Sequence, residues 1–375
     1  MGASGGEVAR AVRAYLEPKR GEMVDFLKQL VEIETPSDHP EGLERFANAL
    51  EEVFGDLQRH GTHRELRIPG REHQPAVALC HCDTVWPLGT LDQIPFSVED
   101  GIARGPGCFD MKAGIVVLRF ALAGLQATGQ ELNRPLRVLF TSDEEVGSPT
   151  SRGLIEQTVR DAAVVYVLES PLPGGTLKTA RKGTGDYIVR IQGRAAHAGV
   201  EPQKGISAVQ ELAQQVLALH ALTDYDAGTT VNVGVVHGGT RPNVVAAAAE
   251  LHVDVRVTTL AEAERLDAAI RGLEPRLSGA RLSIEGGLNR PPMERSEAMG
   301  RLFEKAKGIA AGMGVQIEEG STGGGSDGNF SAALGIPTLD GLGAEGEGAH
   351  AAHEHVLVES LPRRAALVAG LLAEV

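Results

Sequence analysis

The sequence predicts an α/β protein: a domain on a mostly parallel sheet, interrupted by a smaller α+β domain with the β-α-β-β-α-β order of a ferredoxin-like sandwich. Two observations carry this. Apolar strand-like runs and helical stretches alternate from residue 76 to 168, and the same style resumes near residue 290. Between them the pattern switches to strands of alternating polarity, as in an antiparallel sheet with one helical face.

Taken in order, residues 7–34 and 41–56 have helical spacing. Met23, Phe26, Leu27, Leu30 and Val31 make one apolar stripe, and Leu43, Phe46, Ala47, Leu50 and Phe54 another. Strand 76–81, helix 113–127, strand 136–141, helix 150–160 and strand 163–168 follow, the alternation of parallel strands with crossover helices. The switch near 180 brings strand 186–193, helix 205–220, strands 229–236 and 246–257, helix 260–272 and strand 281–286. Helix 205–220 carries Val209, Leu212, Ala213, Val216 and Leu217 on one face. The α/β style then returns with helix 294–311, strand 314–318, a Gly-rich loop, helix 327–334, strand 336–340 and helix 359–373. The predicted domains are 1–180 and 289–375 for the larger, divided by an inserted domain over 181–288.

A chain of 375 residues is long enough for two such domains and a large core. With 36 basic and 50 acidic side chains the net charge is −14, which repels nucleic acid and anionic membranes. No apolar run approaches the roughly 18 residues of a membrane span, and Met1–Arg10 lacks the apolar core of a signal peptide. The three cysteines, Cys80, Cys82 and Cys108, form no C-x-x-C pair and no disulfide framework. A reducing, cytoplasmic location is expected.

Chemistry gathers at strand ends, where open α/β sheets bind their ligands. Strand 136–141 runs into Asp143-Glu144-Glu145, strand 76–81 ends on His81 with Asp83 beyond, and Glu169 follows strand 163–168. Asp110 lies in Gly105-Pro-Gly-Cys-Phe-Asp-Met-Lys112. Neighbouring carboxylates repel each other unless something positive sits among them, so these loops predict a divalent metal site. A two-metal hydrolytic site needs a bridging carboxylate, terminal ligands for each ion and a base for the water. The loop 346–356 adds three histidines, His350, His353 and His355, and spacing alone does not choose among them.

His81-x-Asp83-Thr-Val85, Gly105–Lys112, Ser142-Asp-Glu-Glu-Val-Gly-Ser148 and His350-Ala-Ala-His-Glu354-His-Val356 together resemble the dinuclear zinc aminoacylase and carboxypeptidase family. These motifs occur in the family's order, and the resemblance spans essentially the whole chain. It implies a zinc-exopeptidase-like domain interrupted by a lid and dimerisation domain. It also implies two Zn2+ per subunit, with Co2+ or Mn2+ as substitutes. By this resemblance His81 and Glu169 are terminal ligands of one zinc, Glu145 and His350 of the other, and Asp110 bridges them, followed by a cis peptide. Glu144 is the general base, and Asp83 buttresses His81 through its second ring nitrogen. His350 is favoured because the family places its histidine four residues before the Glu of Glu-aromatic-Val; His355 stands where the family often has Tyr or Phe.

In the inserted domain, Gly193-Arg-Ala-Ala-His197-Ala-Gly199 resembles the lid motif whose histidine reaches the partner subunit's active site and donates to the oxyanion. Asn243 and Arg256 resemble the residues that hold the substrate's free carboxylate, a task suited to the planar guanidinium. The Gly-rich run lacks the Lys-Ser/Thr ending of a phosphate loop. In the family it borders the carboxylate pocket, which makes Gly325, Ser326 and Asp327 further candidates. The implied activity is release of a C-terminal amino acid by a glutamate-type carboxypeptidase, acting as a homodimer on an N-acyl amino acid or short peptide. An N-acyl-amino-acid deacylase of the acetylornithine deacetylase or succinyl-diaminopimelate desuccinylase type shares the motifs. A non-catalytic conjugate-binding homologue would lack the base or a ligand, and neither is missing.

Overall fold

The computed structural model describes residues 3–375. Helices α1 (Gly5–Leu16), α2 (Arg20–Val31) and α3 (Pro40–Phe54) come first. A capping box starts α1: Ser4 Oγ accepts the Glu7 amide, and the Glu7 carboxylate accepts the Ser4 amide at 2.8 Å. The helix expected over 7–34 is divided at Glu17–Lys19, where Pro18 has no N–H to continue the ladder.

The first part of the larger unit continues with β1 (Gln58–His60), β2 (His63–Ile68), β3 (Ala76–His81), β4 (Ser97–Glu99), β5 (Ile102–Arg104), α4 (Ala113–Ala127), β6 (Leu136–Thr141), α5 (Arg152–Val159), β7 (Val164–Val167) and β8 (Leu177–Arg181). The inserted segment supplies β9 (Gly183–Gln192), α6 (Ala208–His220), β10 (Thr230–Gly238), β11 (Ala248–Val257), α7 (Leu260–Arg271) and β12 (Arg281–Arg290). The chain ends with α8 (Glu297–Gly312), β13 (Glu319–Thr322), α9 (Gly328–Ala333), β14 (Thr338–Leu339), β15 (Gly346–Glu347), β16 (His355–Leu357) and α10 (Ser360–Glu374).

The main sheet has the order β1-β2-β6-β3-β7-β14. The pairs β6–β3, β3–β7 and β7–β14 are parallel; β2 joins β6 and β1 antiparallel. Alternate side chains of β3 serve two separate cores. Ala76, Ala78 and Cys80 pack with α1, α4 and α10, while Val77 and Leu79 pack with Ile155 and Val159 of α5 and Phe330 of α9. Burial on both faces explains why this strand reads as a continuous apolar run. A strand does not form at 314–318. Gly314 turns left-handed (φ 72°) after α8, and pairing with β8 begins only at Glu319.

The inserted unit is a four-stranded antiparallel sheet, β10-β11-β9-β12. One face packs on α6 and α7 through Val189, Ile191, Leu251, Val253, Leu219, Leu266 and Ile270. The first compact unit comprises the chain through Ala180 with Arg295–Thr322 and Ser326–Val375; the second comprises Arg181–Glu294 with Gly323–Gly325. Among the described residues no helix is long and apolar enough to cross a membrane.

Candidate metal centre

Five side chains from five loops of the larger unit converge. His81 is the last residue of β3, Glu145 follows β6, Glu169 follows β7, Asp110 precedes α4, and His350 lies on the loop joining β15 to β16. They fall into two sets, His81–Asp110–Glu169 and Asp110–Glu145–His350, each with donor atoms within 4.8 Å of one another. Asp110 is the shared member. Its Oδ1 lies 3.1 Å from His81 Nε2, and its Oδ2 3.1 Å from His350 Nε2. Glu169 Oε1 is 3.4 Å from His81 Nε2, and Glu145 Oε2 3.2 Å from His350 Nε2. His350 rather than the exposed His353 joins this cluster. The Asp110–Met111 peptide is cis.

Each set offers one imidazole and two carboxylates, a donor mixture suited to a borderline dication. One observation fits cations rather than protons alone: Glu145 Oε1 is buried with no hydrogen-bond partner, an orphan that such sites tolerate only when something else occupies the space. Electrostatics agree. Burial would push the His81 imidazole down, but Asp110, Asp83 and Glu169 outweigh it and hold its pKa well above the usual value. Asp110 and Glu145 raise His350 to about 10. The bare site thus binds protons where a dication would replace them. Burial raises Glu145, while Asp110, partly buried and flanked by both imidazoles, falls below the ordinary carboxylate range.

Asp83 does more than back a histidine. His81 Nδ1 is 3.0 Å from the Asp83 carbonyl and 3.5 Å from its carboxylate. That carboxylate also accepts the amides of Glu144 (3.2 Å) and Glu145 (3.1 Å) and the hydroxyl of Ser37 (2.7 Å). Both acids of the pair are therefore held by their backbone from one buried anion. Glu144 is outside the two donor sets, and left-handed Gly147 (φ 88°) ends its turn.

Sequence reasoning missed several supports. Ser37 is one. The Glu354 carboxylate is another; it is buried and accepts amides of the Asp110 loop. Lys112 is buried, donates to the Ile33 carbonyl at 2.8 Å and lies over the Phe46 ring; burial pushes its pKa down to about 8. Arg364, also buried, donates to the carbonyls of Gly343 (2.8 Å), Gly175 (3.1 Å) and Gly341, and the Gly343 amide in turn donates to the Glu169 carbonyl at 2.8 Å. A charged residue engaged only by backbone leaves no spacing motif that would reveal it.

The inserted unit separates its candidates. His197 and Asn243 come together: Val244 bridges His197, and Ala198 donates to the Asn243 carbonyl at 3.0 Å. His197 Nδ1 accepts the amides of Gly199 and Val200 at 3.1 and 3.2 Å, which assigns the ring proton to Nε2. Arg256 sits at the other end of β11, opposite Thr184, with its guanidinium on Asp254 at 2.7 Å. Thr184 also pairs with Arg290, and Gly325 packs on both: a Cβ there would stand 2.8 Å from Arg290 Cδ. Ser326, in the larger unit, is fully buried and donates to Asp340 at 2.7 Å, so its hydroxyl serves the fold. Asp327 is likewise buried and accepts the Thr141 hydroxyl at 3.0 Å.

A parallel α/β sheet whose strand ends carry two acid–imidazole sets sharing one aspartate, with a ferredoxin-like insertion, defines a two-metal hydrolase. The chain belongs to Peptidase family M20/M25/M40, whose profile matches residues 78–374. It is 32% identical over 372 residues to carboxypeptidase G2 of Pseudomonas sp. (strain RS-16), covering 94% of this chain and 89% of that protein. Among solved structures, aminopeptidase PepT from Bacillus cereus superposes with a TM-score of 0.78 at 24% identity, over 94% of this chain and 98% of that one. The YXEP protein of Bacillus subtilis, a dinuclear metal-binding peptidase of family M20, matches with a TM-score of 0.66 at 20% identity, over 94% and 97% of the two chains. The chain is thus an enzyme of a metallopeptidase family.

Proposed function

We propose that this protein is a zinc-dependent carboxypeptidase of the glutamate type, releasing an amino acid with a free α-carboxylate from an N-acyl conjugate or short peptide. The observation that carries it is Asp110, whose two oxygens each face a different imidazole–carboxylate pair. His81 and Glu169 hold one ion, Glu145 and His350 the other. Bound dications supply Lewis acidity to the scissile carbonyl and to the attacking water. Glu144 takes the proton as the C–O bond forms and delivers it to the leaving nitrogen as the C–N bond breaks. Asp83 orients His81 and fixes the Glu144 backbone. His197, with its proton on Nε2, donates to the developing oxyanion from the partner subunit. Arg256 binds the substrate's carboxylate, with Gly325 keeping the adjoining backbone free of a side chain, and Asn243, which lies beside His197 at the opposite end of the sheet, reaches that carboxylate from the partner subunit.

A homodimer through the inserted domain is supported by apolar surface along its open side. Val235 and Val236 of the edge strand β10 are 47% and 50% exposed, and Leu217 of α6 is 68% exposed. A cytoplasmic location fits three free buried thiols. The test is a panel of N-acyl-glutamate, folate-like conjugates, dipeptides and acetylornithine, run on protein reloaded with each metal. Preferred release of glutamate supports the reading; acetylornithine as the best substrate would overturn it in favour of a deacylase. Sedimentation showing a fully active monomer would remove the dimer.

A further inference from the structure

Glu354 carries no part in the chemistry above, yet it is 3% exposed and surrounded by donors. Its Oε1 accepts the amides of Phe109 (2.8 Å) and Asp110 (3.0 Å). Its Oε2 accepts the amide of Gly107 (2.9 Å) and the indole N–H of Trp86 (3.0 Å). Four N–H groups match the capacity of an ionised carboxylate, which accepts without offering a proton. Three of them come from one tight segment entered through left-handed Gly107 (φ 72°), a backbone concavity of the sort that cradles anions.

The donors and the acceptor lie on ligand-bearing loops. Asp110 itself supplies one amide. Trp86 is on the loop that leaves His81 and Asp83. Glu354 closes the loop that presents His350, just before β16, and β16 pairs with β5, the strand leading into the Asp110 turn. We infer that Glu354 is a positioning residue for the metal centre: its buried carboxylate ties together the loops of His81, Asp110 and His350 and thereby sets where the shared Asp110 stands between the two imidazoles. The inference rests on the two-metal reading and adds a residue to it. Because Asp110 belongs to both donor sets, slack at Glu354 weakens both ions together, whereas loss of Glu145 or Glu169 concerns one.

The experiment compares wild type, E354Q and W86F after chelation and stepwise reloading with Co2+. It follows chelator-competition affinity, the visible Co2+ spectrum, and kcat and KM separately. Glutamine keeps the shape but replaces one acceptor oxygen with a donor facing N–H groups. The expected result is about 10–100-fold weaker binding of both equivalents, a changed Co2+ spectrum, and a fall in kcat larger than any change in KM. W86F removes one donor of the four and should shift affinity and spectrum in the same direction by a few-fold. If folded E354Q melts earlier but binds Co2+ with wild-type affinity and spectrum, Glu354 only braces the hairpin and the inference is overturned. If E354Q does not fold, W86F decides, and a wild-type spectrum and affinity there overturn it. A wild-type chain that takes up no Co2+ pair would instead sink the two-metal reading, and the inference with it.

Discussion

Replacing Asp83 with asparagine tests whether one carboxylate governs both acids of the Glu144–Glu145 pair. Asparagine preserves shape but offers a single oxygen. With its NH2 at the Oδ1 position it confronts the Glu144 amide, 3.2 Å away, and His81 Nδ1. At the Oδ2 position it confronts the Glu145 amide, 3.1 Å away, and displaces the Ser37 hydroxyl bond of 2.7 Å. Either way at least one backbone N–H faces a donor. A hydrogen bond to a charged group contributes about 1.5–3 kcal/mol, which converts to about a 10- to 150-fold loss. Since the two amides belong to the proposed base and to a proposed ligand, the loss should divide between kcat at saturating metal and metal affinity. The assay measures both, affinity by chelator competition and kcat with excess metal. D83N that binds metal weakly yet regains wild-type kcat at saturation would refute the argument, because the carboxylate would then serve His81 alone. S37A removes one donor to the same carboxylate but leaves both amides paired, so its loss should be smaller than that of D83N.

E144Q should keep both metals and lose about 10²–10⁴-fold in kcat, whereas E145Q should lose one metal equivalent; elemental analysis giving both variants the same content would end that division of labour. In chelated protein, His81 and His350 have folded pKa values above the unfolded value of about 6.5, with His350 at about 10. Their contribution to stability is therefore present in full below about pH 6.5 and lost as pH rises toward 10. Metal uptake displaces the same protons, so calorimetry in buffers of different ionisation enthalpy should register proton release that dwindles near pH 10; absence of release at neutral pH would contradict the site's electrostatics. R364M would orphan three buried carbonyls while removing a buried cation, a net loss of about 3–5 kcal/mol, visible as a lower denaturant midpoint; an unchanged midpoint would show those carbonyls to be satisfied by water.

The central strands were legible because both of their faces are buried. Ala76–His81 has six buried residues in a row, and such a run leaves few other readings. The strand next to the edge of the same sheet was not. In β2, His63, Arg64 and Glu65 are buried but polar, with Arg64 paired to Glu44 and Glu51 and Glu65 to Arg67 and His60. Buried polar residues, ion-paired to α3 and to near neighbours, stand where an apolar signature would be read. The ligand loops could be read from acids at strand ends, since carboxylates there need a counter-charge. Ser37, Glu354 and Arg364 could not, because their partners are backbone atoms or a side chain far along the chain. Arg256 and Asn243, taken together from sequence, stand at opposite ends of the inserted sheet, a separation set by the ten-residue length of β11.

The two halves of the metal centre differ in how they meet solvent. The His81 side chain is 2% exposed and anchored at the end of a central strand, while His350 is 50% exposed on a loop that adopts φ 62°. Ions should therefore trade places with the medium at unequal speeds, the His350 side turning over quickly and the His81 side retaining its occupant through many such exchanges. Mixed-metal preparations would then be made by order of addition, the sluggish berth filled first.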